Sequence, residues 1–142
     1  EESFDEIVEY IDSHYRTIRK KEKRAVAGLS MGGFHSLFIA LNHPEKFNYV
    51  GLLSAGLNTA FLDMTRPAYK DMEAKLKNFQ KEGYDLFWIA CGKDDFLYQN
   101  NLDFMKTCDN IGFEYTYHES ERGHIWANWR QYLLLLTPML FR

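Results

Sequence analysis

Three kinds of side chain suited to acyl transfer lie far apart in this 142-residue chain: Ser30, His124 and the adjacent aspartates Asp94 and Asp95. Ser30 is the centre of Gly28-Leu29-Ser30-Met31-Gly32, a GxSxG pattern whose flanking glycines are expected because a Cβ there would collide with the neighbouring strand or helix. A serine hydroxyl is a weak nucleophile until a base takes its proton and a third group orients that base. His124, freed by Gly123 to sit on a turn, is the predicted base. Asp95 is the preferred acid, with its neighbour Asp94 expected to cap the helix that follows, although the choice between the two stays open. The chain order serine, aspartate, histidine is the one that accompanies GxSxG when the serine sits between a strand and a helix. Met31 N–H, at the start of that helix, is the predicted oxyanion donor, because the positive end of the helix dipole points at the same spot.

The rival groups fail on position. His14 falls on the polar side of the first predicted helix, His35 inside the helix after the serine, and His43 at a helix end. His118, at the end of a predicted strand, is the one credible competitor. Glu119 and Glu121 share a loop with His124, which makes them poorer acids. Trp126 and Trp129 follow the base within one helical turn. Trp126 is the candidate substrate contact, and for Trp129 packing of the final helix on the sheet is at least as good an expectation.

Hydrophobic spacing supplies the elements that must hold these groups. Phe4, Ile7, Val8, Ile11 and Tyr15 recur at helical intervals, and Glu2, Asp5 and Glu6 load the first turns with the sign the dipole favours. A helix is therefore expected over 2–16. A short apolar run then ends at Gly28, and Phe34, Leu37, Phe38 and Leu41 mark the helix after Ser30, stopped at His43-Pro44. Nearly unbroken apolar residues over 47–54 and 86–91 predict strands buried on both faces. Residues 56–67 look irregular. Tyr69, Met72, Leu76 and Phe79 predict a helix ending near Gly83. Further elements are expected as a helix over 98–109, a strand over 113–118 and a helix over 124–136. Strands alternating with helices predict a mostly parallel sheet with helices on both faces. All three chemical groups then fall past the C-terminal ends of strands, where open α/β sheets bind ligands.

Composition narrows the class. The 46% hydrophobic and 16% aromatic content suffices for the core of one domain. A net charge of −3 and one basic cluster, interrupted by Glu22, make nucleic acid a poor partner. The longest apolar run near the C-terminus is far too short to cross a bilayer, so no membrane span is expected. Cys91 and Cys108 are expected to pack as small apolar residues rather than to form a disulfide framework. Neither a metal nor a cofactor is predicted, since HxxxH spacing, paired cysteines and a glycine-rich phosphate loop are all missing.

Taken together, YIDSHYR (10–16), AGLSMGG (27–33), HPEKF (43–47), CGKDDF (91–96) and GHIWANWR (123–130) resemble the esterase D-like family of α/β-hydrolases. That family includes feruloyl and acetyl-xylan esterases, enterochelin esterases, S-formylglutathione hydrolases and mycolyltransferases. GLSMGG combined with GHxWxxW is most similar to the feruloyl and acetyl-xylan branch. The resemblance implies a serine carboxylesterase working through an acyl-enzyme on acyl groups esterified to plant cell wall carbohydrate, in a secreted or periplasmic setting. It also maps the last residue of GxxD onto Asp95. Transfer of the acyl group to a sugar hydroxyl, and a noncatalytic carbohydrate-binding or assembly module, are the alternatives. In the family the nucleophile strand lies near the middle of the sheet and the second oxyanion donor follows an early strand. Here no strand is predicted before the nucleophile strand, so the chain is expected to be the C-terminal half of such a domain. Upstream residues, a second polypeptide or a copy of the chain would then cover the sheet edge.

Overall fold

The computed structural model describes residues 4–57, 63 and 65–142. Helix α1 (Phe4–His14) precedes β1 (Ala25–Leu29), α2 (Met31–Asn42), β2 (Tyr49–Leu53), α3 (Met72–Glu82), β3 (Leu86–Gly92), α4 (Tyr98–Ile111), β4 (Thr116–Ser120) and α5 (Trp126–Leu136). The four strands form one parallel sheet in the order β1-β2-β3-β4. Consecutive parallel strands need a crossover, which α2, α3 and α4 provide in turn.

Helices cover both faces, as the alternation of side chains along β2 and β3 requires. Val50, Leu52, Phe87 and Ile89 join Leu37, Phe38, Leu76, Phe79 and Phe104 in the core beneath α2, α3 and α4. Tyr49, Leu53, Trp88 and Ala90 face the other way and pack on Tyr132 and Leu136 of α5. Close packing of α5 depends on Gly51, where a Cβ would stand 2.6 Å from a Leu136 methyl. The unbroken apolar runs of β2 and β3 are thus explained by burial on two sides.

The edges of several elements differ from the sequence-based expectation. Helix α1 ends at His14, and Tyr15 is exposed beyond it; its expected start at residue 2 lies outside the described residues. Ile7 and Ile11 are exposed as well, so its apolar stripe is only partly covered. Strand β4 lies two to three residues later than expected. Phe113 is buried in the core, and its N–H closes the end of α4 on Cys108 O at 2.9 Å, so it serves the helix rather than the ladder. Strand β2 stops before Ser54, whose φ of 43° leaves the extended region. Helix α5 begins at Trp126, which keeps His124 on the preceding loop. Most of the expected irregular stretch 56–67 lies outside the described residues, and 65–71 forms turns.

Among the described residues, β1 is paired on one side only. An apolar groove of about 720 Å³ lies at this end of the sheet, with Phe4, Ile7, Val8, Ile11, Phe47 and Ala25 in its wall. No helix among the described residues is long and apolar enough to span a bilayer.

The core on the α3 side rests heavily on Phe79, which is fully buried and contacts the rings of Tyr84 and Phe87. Phe79→Ala is expected to lower the unfolding free energy by about 4 kcal/mol in urea titrations, through lost burial and the cavity left behind.

Candidate active site

Parallel strands bring the ends of β1, β3 and β4 to one rim. Ser30 follows β1 directly and adopts φ 56°, ψ −116°, a conformation that non-glycine residues avoid. Its backbone is held from two sides. Ser30 N–H donates to Leu53 O at 2.9 Å, and Ser30 O accepts from the N–H groups of Gly33, Phe34 and Gly56 at 3.1, 3.2 and 3.1 Å. The turn is possible because α2 comes back onto β1 with almost no separation: a Cβ at Gly28 would stand 2.1 Å from Gly32 O. Gly33 is needed for a second reason, since its Cβ would meet that of Ala55 at 2.5 Å. The expectation that both glycines flanking the serine avoid a side-chain collision therefore holds for Gly28 and fails for Gly32. A Cβ at Gly32 would meet nothing within 4 Å; what matters there is the backbone carbonyl.

The other two groups converge on the Ser30 hydroxyl. His124 Nε2 lies 3.1 Å from Ser30 Oγ, and His124 Nδ1 lies 2.9 and 3.1 Å from the two carboxylate oxygens of Asp95. A carboxylate only accepts, so Nδ1–H is the donor to Asp95 and Nε2 is left to accept the Ser30 O–H. The Asp95 side chain is wholly shielded from water, and its Oδ1 also accepts Leu97 N–H at 2.9 Å. Asp94, in contrast, is exposed, and α4 begins without a side-chain cap. The expected division of labour between the two aspartates is thus corrected: Asp95 meets the imidazole and also binds the backbone that leads into α4. An aspartate can do both because its two oxygens point in different directions.

The loop carrying His124 is pinned from α5. Asn128 Nδ2 donates to Glu121 O at 2.9 Å and to Gly123 O at 3.0 Å. Gly123 passes so close to the β3 loop that a Cβ would stand 2.8 Å from Asp94 O. Glu119 and Glu121 turn to Lys93, at 3.4 and 2.8 Å, and do not approach the imidazole. His118 stacks on Trp88 with its Nε2 buried, while His14 stacks on Tyr10 and His43 faces Asp5.

Met31 is the first residue of α2, so its N–H has no acceptor within the helix and stands next to the serine. Three apolar side chains surround this rim in the open: Met31, Phe96 and Trp126, at 70, 75 and 67% exposure. Phe96 was not singled out by sequence. Its ring centroid lies 4.7 Å from that of His124, and the available signal was its place beside Asp95. Trp129 does more than pack: its ring stands edge-on to His124 at 4.9 Å. Neither cysteine competes as a nucleophile, because burial pushes both the Cys91 and Cys108 thiols up to about 12. Among the described residues, no group of three or more His, Cys, Asp and Glu side chains is placed to hold a metal ion.

Residues 4–139 match the family described as "Putative esterase", and the chain belongs to that family. It is 29% identical to an acetyl esterase of Caldicellulosiruptor saccharolyticus over 90% of this chain and 58% of that protein. Among solved structures it is similar to FphF, a fluorophosphonate-binding serine hydrolase of Staphylococcus aureus, with 25% identity, 97% of this chain and 62% of that one covered, and a TM-score of 0.82. A ferulic acid esterase structure matches with 26% identity over 98% of this chain and 60% of that one, TM-score 0.77. The fold is that of the α/β-hydrolase esterases. The chain spans about three fifths of the length of these relatives.

The glycine geometry makes a paired prediction. Gly28→Ala should cost about 3 kcal/mol of stability, because backbone must move to admit the methyl group. Gly32→Ala, at the second position of a helix with open space around it, should be neutral or stabilising by about 0.5 kcal/mol. Thermal and urea unfolding of the two variants compares them directly.

Proposed function

We propose that this chain carries the catalytic apparatus of a serine carboxylesterase that works through an acyl-enzyme. The observation that carries the reading is the continuous hydrogen-bonded line from Ser30 Oγ through the His124 imidazole to buried Asp95. In this reading His124 Nε2 takes the Ser30 proton as the hydroxyl oxygen attacks the ester carbonyl. Asp95 keeps the imidazole in the tautomer that can do so and stabilises the imidazolium that forms. Met31 N–H donates to the oxyanion of the tetrahedral intermediate. The imidazolium then returns its proton to the leaving alkoxide, and water, activated by the same base, releases the acid.

The substrate class proposed is a carbohydrate-linked ester of the plant cell wall, feruloyl or acetyl. Its support is twofold: an acetyl esterase and a ferulic acid esterase stand among the similar proteins, and an apolar rim offers Trp126 as a substrate contact. The open side of β1, with the apolar groove beside it, is proposed to be covered by further strands of the same hydrolase domain, which would supply the second oxyanion donor. The greater length of the similar proteins supports that assignment. One oxyanion donor contributes about a hundredfold to a thousandfold in turnover, so the added strands should matter to rate more than to the nucleophile itself.

A fluorophosphonate probe should label wild-type protein at Ser30 alone, with Ser30→Ala unlabelled; an adduct elsewhere, or none, would overturn the assignment. Hydrolysis of p-nitrophenyl acetate and methyl ferulate should fall about 10⁴-fold in Asp95→Asn, through loss of the correct imidazole tautomer. Asp94→Asn should stay close to wild type.

A further inference from the structure

We infer that Trp129 is a positioning residue for the His124 imidazole and that Ser54 holds it in that role; the inference rests on the triad reading above. Asp95 grips the imidazole at one nitrogen, which leaves the ring free to rock about that bond and swing Nε2 off the serine. Two aromatic side chains oppose this motion, Phe96 at 4.7 Å and Trp129 at 4.9 Å between centroids. Phe96 is too exposed to act as a fixed wall. Trp129 is half-buried against the core on the α5 side, and its indole N–H donates to Ser54 Oγ at 3.3 Å.

Ser54 is itself immobile. It is fully buried at the end of β2, takes φ 43°, and its N–H donates to Ala90 O of β3 at 2.7 Å. A half-buried indole N–H needs an acceptor, and a buried hydroxyl at the head of the two central strands provides one that does not move with the loop. The link therefore runs from the centre of the sheet through Ser54 and Trp129 to the face of the base. It fixes the one direction of imidazole motion that Asp95 leaves free.

A mere packing role for Trp129 would affect stability and leave the chemical step alone, which separates the two accounts. Trp129→Phe keeps a ring but removes the N–H, Ser54→Ala removes the acceptor, and Trp129→Leu removes the ring. With p-nitrophenyl acetate we expect kcat about threefold to fivefold lower in Trp129→Phe and in Ser54→Ala, and at least tenfold lower in Trp129→Leu, with KM unchanged. Ser54→Ala should cost no further kcat in the Trp129→Phe background, because the indole–hydroxyl bond is already gone there; loss of the hydroxyl's other partners, Tyr132 and Cys91, should appear in stability instead. Wild-type kcat in these variants, losses confined to KM, or additive losses in the double variant would overturn the inference. A second readout needs no turnover: the low-field His124 Nδ1–H proton resonance should be sharp in wild type and broadened by exchange in Trp129→Leu. Equal line widths would reject the positioning role. Failure of the phosphonate to label wild-type Ser30 would reject the esterase reading instead, so the two failures are distinct.

Discussion

The constraint on which the site depends is the close backbone approach of Gly32 to Gly28. It lets α2 begin directly over the last residue of β1, so the chain reverses within the single residue Ser30. A positive φ on a serine costs on the order of 1–3 kcal/mol and persists only where the surroundings impose it. Here they do: the ladder from β2 takes the Ser30 N–H, and three separate N–H groups take its carbonyl. Loop flexibility then does not decide where the Ser30 Cα–Cβ bond points; the sheet does, and the bond to His124 Nε2 selects the rotamer that places the hydroxyl. Every other part of the site has only to reach that point.

Parallel pairing makes that reach short. Register aligns Leu29 with Leu53, Leu53 with Ala90 and Gly92 with Ser120, so the strands terminate nearly level and their following loops share one rim. Proximity alone would not suffice for Asp95, whose carboxylate lies out of water and would be costly to bury unpaired. Its oxygens instead receive an imidazole N–H and a backbone N–H. The same two bonds fix the tautomer of His124 and the entry into α4. Electrostatic satisfaction of one buried group thereby orients the imidazole, so the site's geometry and the local stability of this loop have a common cause.

Much of this was legible in the chain. GxSxG between an apolar run and a helical pattern located Ser30, because the turn's steric needs leave a mark in residue type. The positions of His124 and of the Asp94-Asp95 pair, each after a strand, followed from the order of elements, and the mapping of GxxD onto Asp95 was what the family resemblance implied. Helix ends at Pro44 and Gly83 were legible for a similar reason, being written in backbone chemistry. What escaped was decided by tertiary contact. Phe113 looked like the opening of a strand because it is apolar, yet it is spent on closing α4. Asp94 and Asp95 are chemically identical in sequence, and only the approach of the β4 loop tells them apart. The Gly32 collision was inferred from a motif whose real requirement is a carbonyl in the right place. Phe96 and Asn128 had no periodicity to betray them, since each acts on the loop of His124 from elsewhere in the chain, and Ser54 reaches α5 from the end of β2.

Helix α5 ties the two regimes together. Residues 129, 132 and 136 recur at helical spacing and carry the helix from the side of the imidazole into the core, where Tyr132 and Leu136 are buried against β2 and β3. Trp126, one turn earlier, stands clear of the core beside Trp129 at 5.2 Å between centroids. One helix thus backs the imidazole while presenting an apolar surface in front. The remainder of that surface, Met31 and Phe96, comes from the loops after β1 and β3. Their side chains extend from positions whose backbones are already fixed by the nucleophile turn and by Asp95. Substitution of these exposed side chains can therefore change the surface of the rim while leaving the serine, imidazole and carboxylate in register.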